Sequence, residues 1–330
     1  MKAKQLTSGL ALLFTLCLTS CSGSNVHHEA RDYFVDVAYK TDFKILQMSD
    51  IHLGMKDDLE YQFKFMDLTL SEAKPNLIII TGDVFTFGTK ETMKSLFSWL
   101  DSYKTPWGIT FGNHDEQVYF SMSYLSYYLS NNCEYCKFID YQDDDVFGSA
   151  NYCINLTKDG SSFYQLYMFD SNRYYYGSYF GYDYIHEDQI EWYERLVNYS
   201  TELNSHVVPS LSFFHIPLVE YKTASDLVNE GSSEATLIYG ENNEKISCPK
   251  YNSGLFTKMV ELGSTKGVFV GHDHINNSEI MYQGIDLVYG VHSTDRVYHL
   301  EDMMGGLVIT IHDDASFSLE RIYHTYSEVK

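Results

Sequence analysis

Five short clusters hold the residues best suited to joint chemistry: Asp50-Ile51-His52, Gly82-Asp83, Gly112-Asn113-His114-Asp115, His215, and Gly271-His272-Asp273-His274. Each follows an apolar, β-favouring run: "FKILQM", "NLIIIT", "WGITF", "SLSFF" and "GVFV". A lone histidine at a strand end is ordinarily a polar residue meeting solvent. Two polar residues separated by one position in extended chain point the same way, so Asp50 with His52, and His272 with His274, ask for a shared partner. A carboxylate can bridge two cations about 3.5–4 Å apart, the spacing used in two-metal hydrolysis. Nitrogen and oxygen donors without a thiolate suit Mn, Fe or Zn rather than Ca or Cu(I).

The elements that carry these clusters alternate. Strands are expected at 43–50, 76–83 and 107–115, with helices at 59–73 and about 90–103 between them. Asp50 to Asp83 spans 33 residues and Asp83 to Asn113 spans 30, the length of a strand–helix–strand unit. Strands joined in this way deliver their ends to one edge of a parallel sheet, where α/β proteins bind ligands. Further strands are expected at 162–170, 207–215 and 267–274, with a helix at 187–203. "GIDLVYGVH", "GLVITIHD" and "SFSLERIY" read as consecutive antiparallel strands. The glycines before Asp83, Asn113 and His272 are expected to turn the backbone sharply. No internal repeat or low-complexity linker divides the mature chain, so one domain is the simpler organisation.

The formal net charge of −22 repels phosphate backbones and argues against nucleic acid as a main partner. The N-terminal "MKAKQLTSGLALLFTLCLTSC" has the shape of a secretory signal, with an apolar run too short to span a membrane. Leu18-Thr19-Ser20-Cys21 resembles the lipobox of bacterial lipoproteins, in which cleavage leaves the cysteine as a lipid-bearing N-terminus. The organisation expected is therefore a signal peptide at 1–20, a lipidated tether at 21–40 and a domain at 41–330. That places the protein on the extracytoplasmic side of the cell membrane; the alternative is an ordinary signal peptide and a secreted protein. Export leaves Cys133, Cys136, Cys153 and Cys248 in an oxidising compartment, where disulfides are expected in one of three pairings. "CEYC" as half a zinc site lacks a second such pair.

The ordered set DxH, GD, GNH(D/E), H and GHxH resembles the calcineurin-like metallophosphoesterase superfamily. "FKILQMSDIHLG", "WGITFGNHDE", "LYMFDSN", "GYDYIHEDQIEWYE", "FFHIPLVEY" and "YGVHSTDRVY" are similar to its purple-acid-phosphatase-like, or Dcr2-like, group over roughly residues 43–300. The resemblance implies an α/β fold, a four-layer α/β/β/α sandwich with mixed sheets. It implies two transition-metal ions, one held by Asp50, His52, Asp83 and His274, the other by Asp83, Asn113, His215 and His272. It further implies hydrolysis of small phosphoesters by a hydroxide bridging the ions, with His114 as the catalytic residue. A phosphatase is the leading reading. A phosphodiesterase is the nearest alternative, and a surface binding lipoprotein with a structural metal site is another. Structural sites tend to be closed, whereas this set leaves His114 outside the metal ligands.

The departures from the family are informative. The GDxxY of purple acid phosphatases reads here Gly82-Asp83-Val84-Phe85-Thr86, so iron–tyrosinate chemistry is not expected. The aspartate that orients the catalytic histidine in calcineurin-type enzymes is missing after GD, leaving that role open. Asp115 and Asp273 are expected to orient the histidines beside them. Arg173, in the aromatic stretch "RYYYGSYFGYDY", is a candidate substrate contact, as are His292 and Arg296. The alternative for that stretch is a loop packed over the sheet edge by its own tyrosines. His27 and His28 are read as solvated residues of the tether.

Overall fold

The apolar runs form the buried strands of two facing sheets. The computed structural model describes residues 28–141 and 145–329. The expected signal peptide, Cys21 and His27 lie outside them. In chain order the elements are β1 (Phe34–Ala38), β2 (Phe43–Met48), α1 (Leu59–Ala73), β3 (Leu77–Thr81), α2 (Lys90–Ser102), β4 (Trp107–Thr110), α3 (Met122–Asn132), β5 (Tyr152–Lys158), β6 (Ser161–Met168), β7 (Tyr174–Tyr175) and β8 (Gly181–Tyr182). There follow α4 (Glu187–Asn204), β9 (Ser210–Phe213), α5 (Val219–Asn229), β10 (Ala235–Tyr239), α6 (Leu255–Leu262), β11 (Thr265–Val270), β12 (Glu279–Tyr282), β13 (Ile285–Tyr289), β14 (Met304–Ile311) and β15 (Phe317–His324).

One sheet has five strands in the order β15-β14-β2-β3-β4, and the other has eight in the order β1-β5-β6-β9-β11-β13-β12-β10. Both are mixed: β2, β3 and β4 run parallel while β14 is antiparallel to β2, and β9 is parallel to β6 and β11 while β5 opposes β6. Helix α1 lies on the outer side of the smaller sheet, next to α2, and α4, α5 and α6 lie on the larger. The four-layer α/β expectation matches this arrangement.

Successive residues on the central strands point into different cores. On β11, Phe269 joins the core between the sheets, while Val268 and Val270 face α4–α6. Burial on both faces explains why these strands read as continuous apolar runs. Ile78, Ile79 and Ile80 of β3 are fully buried, each contributing roughly 1.5–3 kcal/mol. Asp58 caps α1 by accepting from the Tyr61 amide, and Lys74 ends it with φ of 47° before Pro75.

Several expectations need correction. Residues 34–38, assigned to the tether, form β1 and pair parallel to β5, so the ordered domain begins earlier than residue 41. Of the three C-terminal strands expected to be consecutive antiparallel neighbours, β14 and β15 are so paired, but β13 is not. β13 is parallel to β11 in the larger sheet, whereas β14 and β15 belong to the smaller one. The antiparallel partner of β13 is β12, joined to it by Gln283 (φ 49°) and Gly284 (φ 82°), a two-residue turn with both centres left-handed. The four cysteines of the domain are free thiols rather than disulfides. Cys153 lies inside the core beneath α4, Cys133 and Cys136 pack against the core between the sheets, and Cys248 packs on the former. Burial raises all four thiols, Cys133 to about 12, which suits inert packing groups. No described helix is long and apolar enough to cross a membrane.

Candidate active site

The C-terminal ends of β2, β3, β4, β9 and β11 meet at one edge, where the two sheets bring their polar clusters together. The loop after β2 runs beside the loop after β3: the amides of Asp50, His52 and Leu53 donate to the carbonyls of Gly82, Asp83 and Val84 at 2.9–3.1 Å. These residues are not extended. Asp50, His52, Asp83 and His272 have φ of 54°, 50°, 50° and 77°, so the reading of side chains aligned by strand periodicity gives way to left-handed turns. Such conformations cost about 1–3 kcal/mol each and persist where surrounding structure fixes them. Gly82 is itself left-handed (φ 81°), and a Cβ there would come within 2.8 Å of His215. Gly112 serves close approach rather than a sharp turn, since a Cβ there would collide with the Asp83 carboxylate.

Among the described residues, two groups of ligand atoms lie within 4.8 Å of one another: Asp50, His52, Asp83 and His274, and Asp83, His215 and His272. All are buried. His52 Nε2 stands 3.2 Å from His274 Nε2 and 3.7 Å from Asp83 Oδ2; His215 Nε2 stands 3.1 Å from that same oxygen and 3.3 Å from His272 Nδ1. Asn113, the further ligand expected for the second group, is buried just past the end of β4. Its amide Nδ2 donates to the Tyr174 hydroxyl at 3.3 Å, leaving Oδ1 buried and without a hydrogen-bond partner.

The far side of each ring sets its tautomer. His215 Nδ1 donates to the Thr81 carbonyl at 2.8 Å and His274 Nδ1 to the Tyr298 carbonyl at 2.9 Å, while His52 Nδ1 rests on Thr86 Oγ1 at 2.7 Å. The Nε2 atoms of these three rings therefore face inward. Buried imidazole nitrogens and carboxylate oxygens gathered this closely form a donor set that fits metal ions. Burial holds His52 down to about 4 and His272 well below the ordinary imidazole range, which keeps both neutral. Burial also disfavours charge on Asp83 and His215. Their contact wins: Asp83 is held below the carboxylate range and His215 rises to about 10. A dication at this position would replace the His215 proton.

His114 sits beside this floor. Its amide donates to Asp83 Oδ1 at 2.7 Å, its ring centroid lies 5.3 Å from that of His52, and its Nδ1 donates to Gln117 Oε1 at 2.9 Å. Gln117 thus supplies the orienting group left open by the missing aspartate. Its position three residues after His114, within one turn, is the signal that would have identified it. Thr86 is a second residue whose role the sequence reading missed. It occupies the place of the family's tyrosine and fixes His52.

Other expected residues lie elsewhere. Asp115 does not orient a histidine; it accepts from the Val84, Phe85 and Gly112 amides at 2.8–3.0 Å and clamps two loops together. Asp273 accepts from the Tyr289 hydroxyl at 2.6 Å and the Ser247 amide at 3.1 Å, bracing the last loop. Arg173 pairs with Glu116 and Arg296 with Asp57, both at 2.6 Å. His292 is buried behind the ligands, stacked on His274 at 4.6 Å, with Nε2 on the Arg296 carbonyl. His28 stacks on Tyr141 rather than standing free in solvent.

Comparison with known proteins agrees with this geometry. The calcineurin-like phosphoesterase family model matches residues 43–276. The "Probable inactive purple acid phosphatase 29" of Arabidopsis thaliana is 31% identical over 76% of this chain and 71% of its own length. "Probable inactive purple acid phosphatase 14" of the same plant is 30% identical over 84% and 76%. Phosphatase DCR2 of Saccharomyces cerevisiae is 30% identical over 71% of this chain and 44% of its own. The crystal structure of a dimetal phosphatase from Danio rerio superimposes with a TM-score of 0.57 at 12% identity, covering 87% of this chain and 100% of that one, a likeness of fold.

Proposed function

The chain belongs to the calcineurin-like phosphoesterase family, and from that premise we propose that it is a two-metal phosphomonoesterase held by lipid on the outer face of a membrane. As a metallophosphoesterase it is a phosphoric ester hydrolase. The observation that carries the proposed mechanism is the pair of ligand clusters sharing Asp83, with His114 beside them and outside both. Asp50, His52, Asp83 and His274 would hold one ion, and Asp83, Asn113, His215 and His272 the other. Bound there, Mn, Fe or Zn would activate water and neutralise phosphoryl charge.

The chain's own residues supply the rest. The Asp83 carboxylate fixes the His114 backbone, and Gln117 holds Nδ1, so Nε2 is the atom left to face the substrate. From there an imidazolium stabilises the phosphoryl oxygens or protonates the leaving alkoxide. Thr86 in place of the tyrosine makes an iron–tyrosinate centre a poor fit. Two relatives carry "inactive" in their names; here every member of both clusters is present, and activity is expected.

The test is turnover by the metal-reconstituted full chain on p-nitrophenyl phosphate and bis(p-nitrophenyl) phosphate. The monoester should react faster. A preference for the diester would make the protein a phosphodiesterase, and no turnover with both ions bound would favour the binding lipoprotein.

Membrane attachment rests on the Leu18–Cys21 sequence, outside the described residues. Mass spectrometry of the mature N-terminus should find acyl chains on Cys21; an unacylated terminus would leave a secreted enzyme.

A further inference from the structure

The aromatic stretch after Asn172 folds into the β7–β8 hairpin, with Tyr174 opposite Tyr182. The hairpin has two faces. Tyr175, Tyr179 and Tyr184 pack on one another, and Tyr184 continues onto His186 and Tyr251, anchoring the hairpin to the body. The other face is a ladder of rings that starts at a metal ligand. Tyr182 stands edge-on to His272 at 4.4 Å, Tyr174 stacks on Tyr182 at 5.8 Å, and Phe180 stacks on Tyr174 at 5.8 Å. Tyr176 follows, 5.5 Å from Phe180.

The ladder ends in solvent. Tyr176 is 71% and Phe180 66% exposed. Rings so exposed contribute little to folding, and Tyr182 and Tyr174 link them to the ligands His272 and Asn113, which makes the ladder a surface for what the reacting phosphate carries. A cavity of about 290 Å³ opens beside Gly112, lined by Phe111, Met122, Phe147, Tyr174, Tyr176 and the Arg173–Glu116 pair. That is the lower end of small-molecule sites, room for a compact ring system. Arg173 is neutralised by Glu116, Asp170 and Asp183 also line the cavity, and the protein's charge is −22, so the rim is poorly disposed toward a second phosphate.

We infer that the β7–β8 hairpin is the leaving-group subsite, selecting monophosphate esters whose alcohol carries an uncharged planar aromatic ring. This rests on the phosphatase reading above. Ring stacking tolerates many ring identities, so nucleosides and simple aryl alcohols share the required chemistry.

The experiment uses pairs with leaving alcohols of similar acidity: 2-(1-naphthyl)ethyl phosphate against hexyl phosphate, and adenosine 5′-monophosphate against ribose 5-phosphate. The metal-loaded wild type should favour the aromatic member of at least one pair. Tyr176→Ala/Phe180→Ala should raise KM for that member about 10-fold with kcat kept, and leave its non-aromatic partner unchanged. Tyr176→Trp/Phe180→Trp should restore the preference. A response in the adenosine pair alone identifies nucleotides as the substrate class, and one in the naphthyl pair alone identifies aryl esters.

No discrimination by the wild type in either pair would overturn the inference, as would an equal loss on both members in the double alanine variant; either leaves the phosphatase reading intact. If no ester is hydrolysed, the phosphatase reading fails instead. Calorimetry with 2-(1-naphthyl)ethylphosphonate and hexylphosphonate then decides the subsite, equal affinities refuting it.

Discussion

The two sheets contribute unlike halves to one site. The five-stranded sheet sends both carboxylates, Asp50 and Asp83, with His52, Asn113 and His114, whereas the eight-stranded sheet sends His215, His272 and His274. Three of the four left-handed ligands, Asp50, His52 and Asp83, lie on the smaller sheet. Their loops are laced together by backbone hydrogen bonds and by Asp115. On the larger sheet, a backbone carbonyl stands behind the ring of His215 and another behind that of His274. Strain of about 1–3 kcal/mol per left-handed residue is offset by strands such as β3, where each buried isoleucine contributes roughly 1.5–3 kcal/mol. The lesson is a division of labour. The smaller sheet supplies both carboxylates and His114, the residue proposed to act on substrate, while the larger sheet supplies imidazoles alone.

That division can be broken most sharply at His114. His114→Ala should retain both ions and its Tm, yet lose about 10²–10⁴-fold in kcat, the usual worth of a positioned acid or charge stabiliser. If the imidazolium donates a proton, the loss should be smaller for p-nitrophenyl phosphate than for an alkyl phosphate. Equal losses would assign it to phosphoryl charge alone, and unchanged turnover would remove it from the mechanism.

A smaller effect belongs to Gln117, which acts through His114. Gln117→Ala should cost about 10-fold in kcat with metal content unchanged, the typical worth of a supporting hydrogen bond. Gln117→Glu should recover most of it, because its carboxylate also accepts from Nδ1. A Gln117→Ala enzyme with full turnover would show that the ring is held by packing instead.

Much of the floor was legible in the sequence because apolar runs and the polar residues that end them are local features. Asp50, His52, Asp83, His215, His272 and His274 do converge. How they converge was not legible: strand alternation suggested the alignment of Asp50 with His52, but positive φ at both residues produces it. Residues acting across loops were equally hidden. Thr86 meets His52 and Tyr174 meets Asn113 through contacts that no sequence period encodes, whereas Gln117 lies only three residues from His114. The oxidising compartment inferred from the leader suggested disulfides, but the packing of the thiols into the two cores overrode it. Strand β12 was missed because it has only four residues and opens on Glu279, so the Gln283-Gly284 turn was its main signal.

The central claim is that two ions share Asp83 while each depends on its own imidazoles. Elemental analysis of the full chain reconstituted with manganese measures this directly, with His272→Ala and His274→Ala in parallel. The wild type should hold close to two ions per chain, each histidine variant close to one, and Asp83→Asn fewer than either. A wild type that binds a single ion, or an Asp83→Asn variant that still binds both, would contradict the shared-carboxylate site.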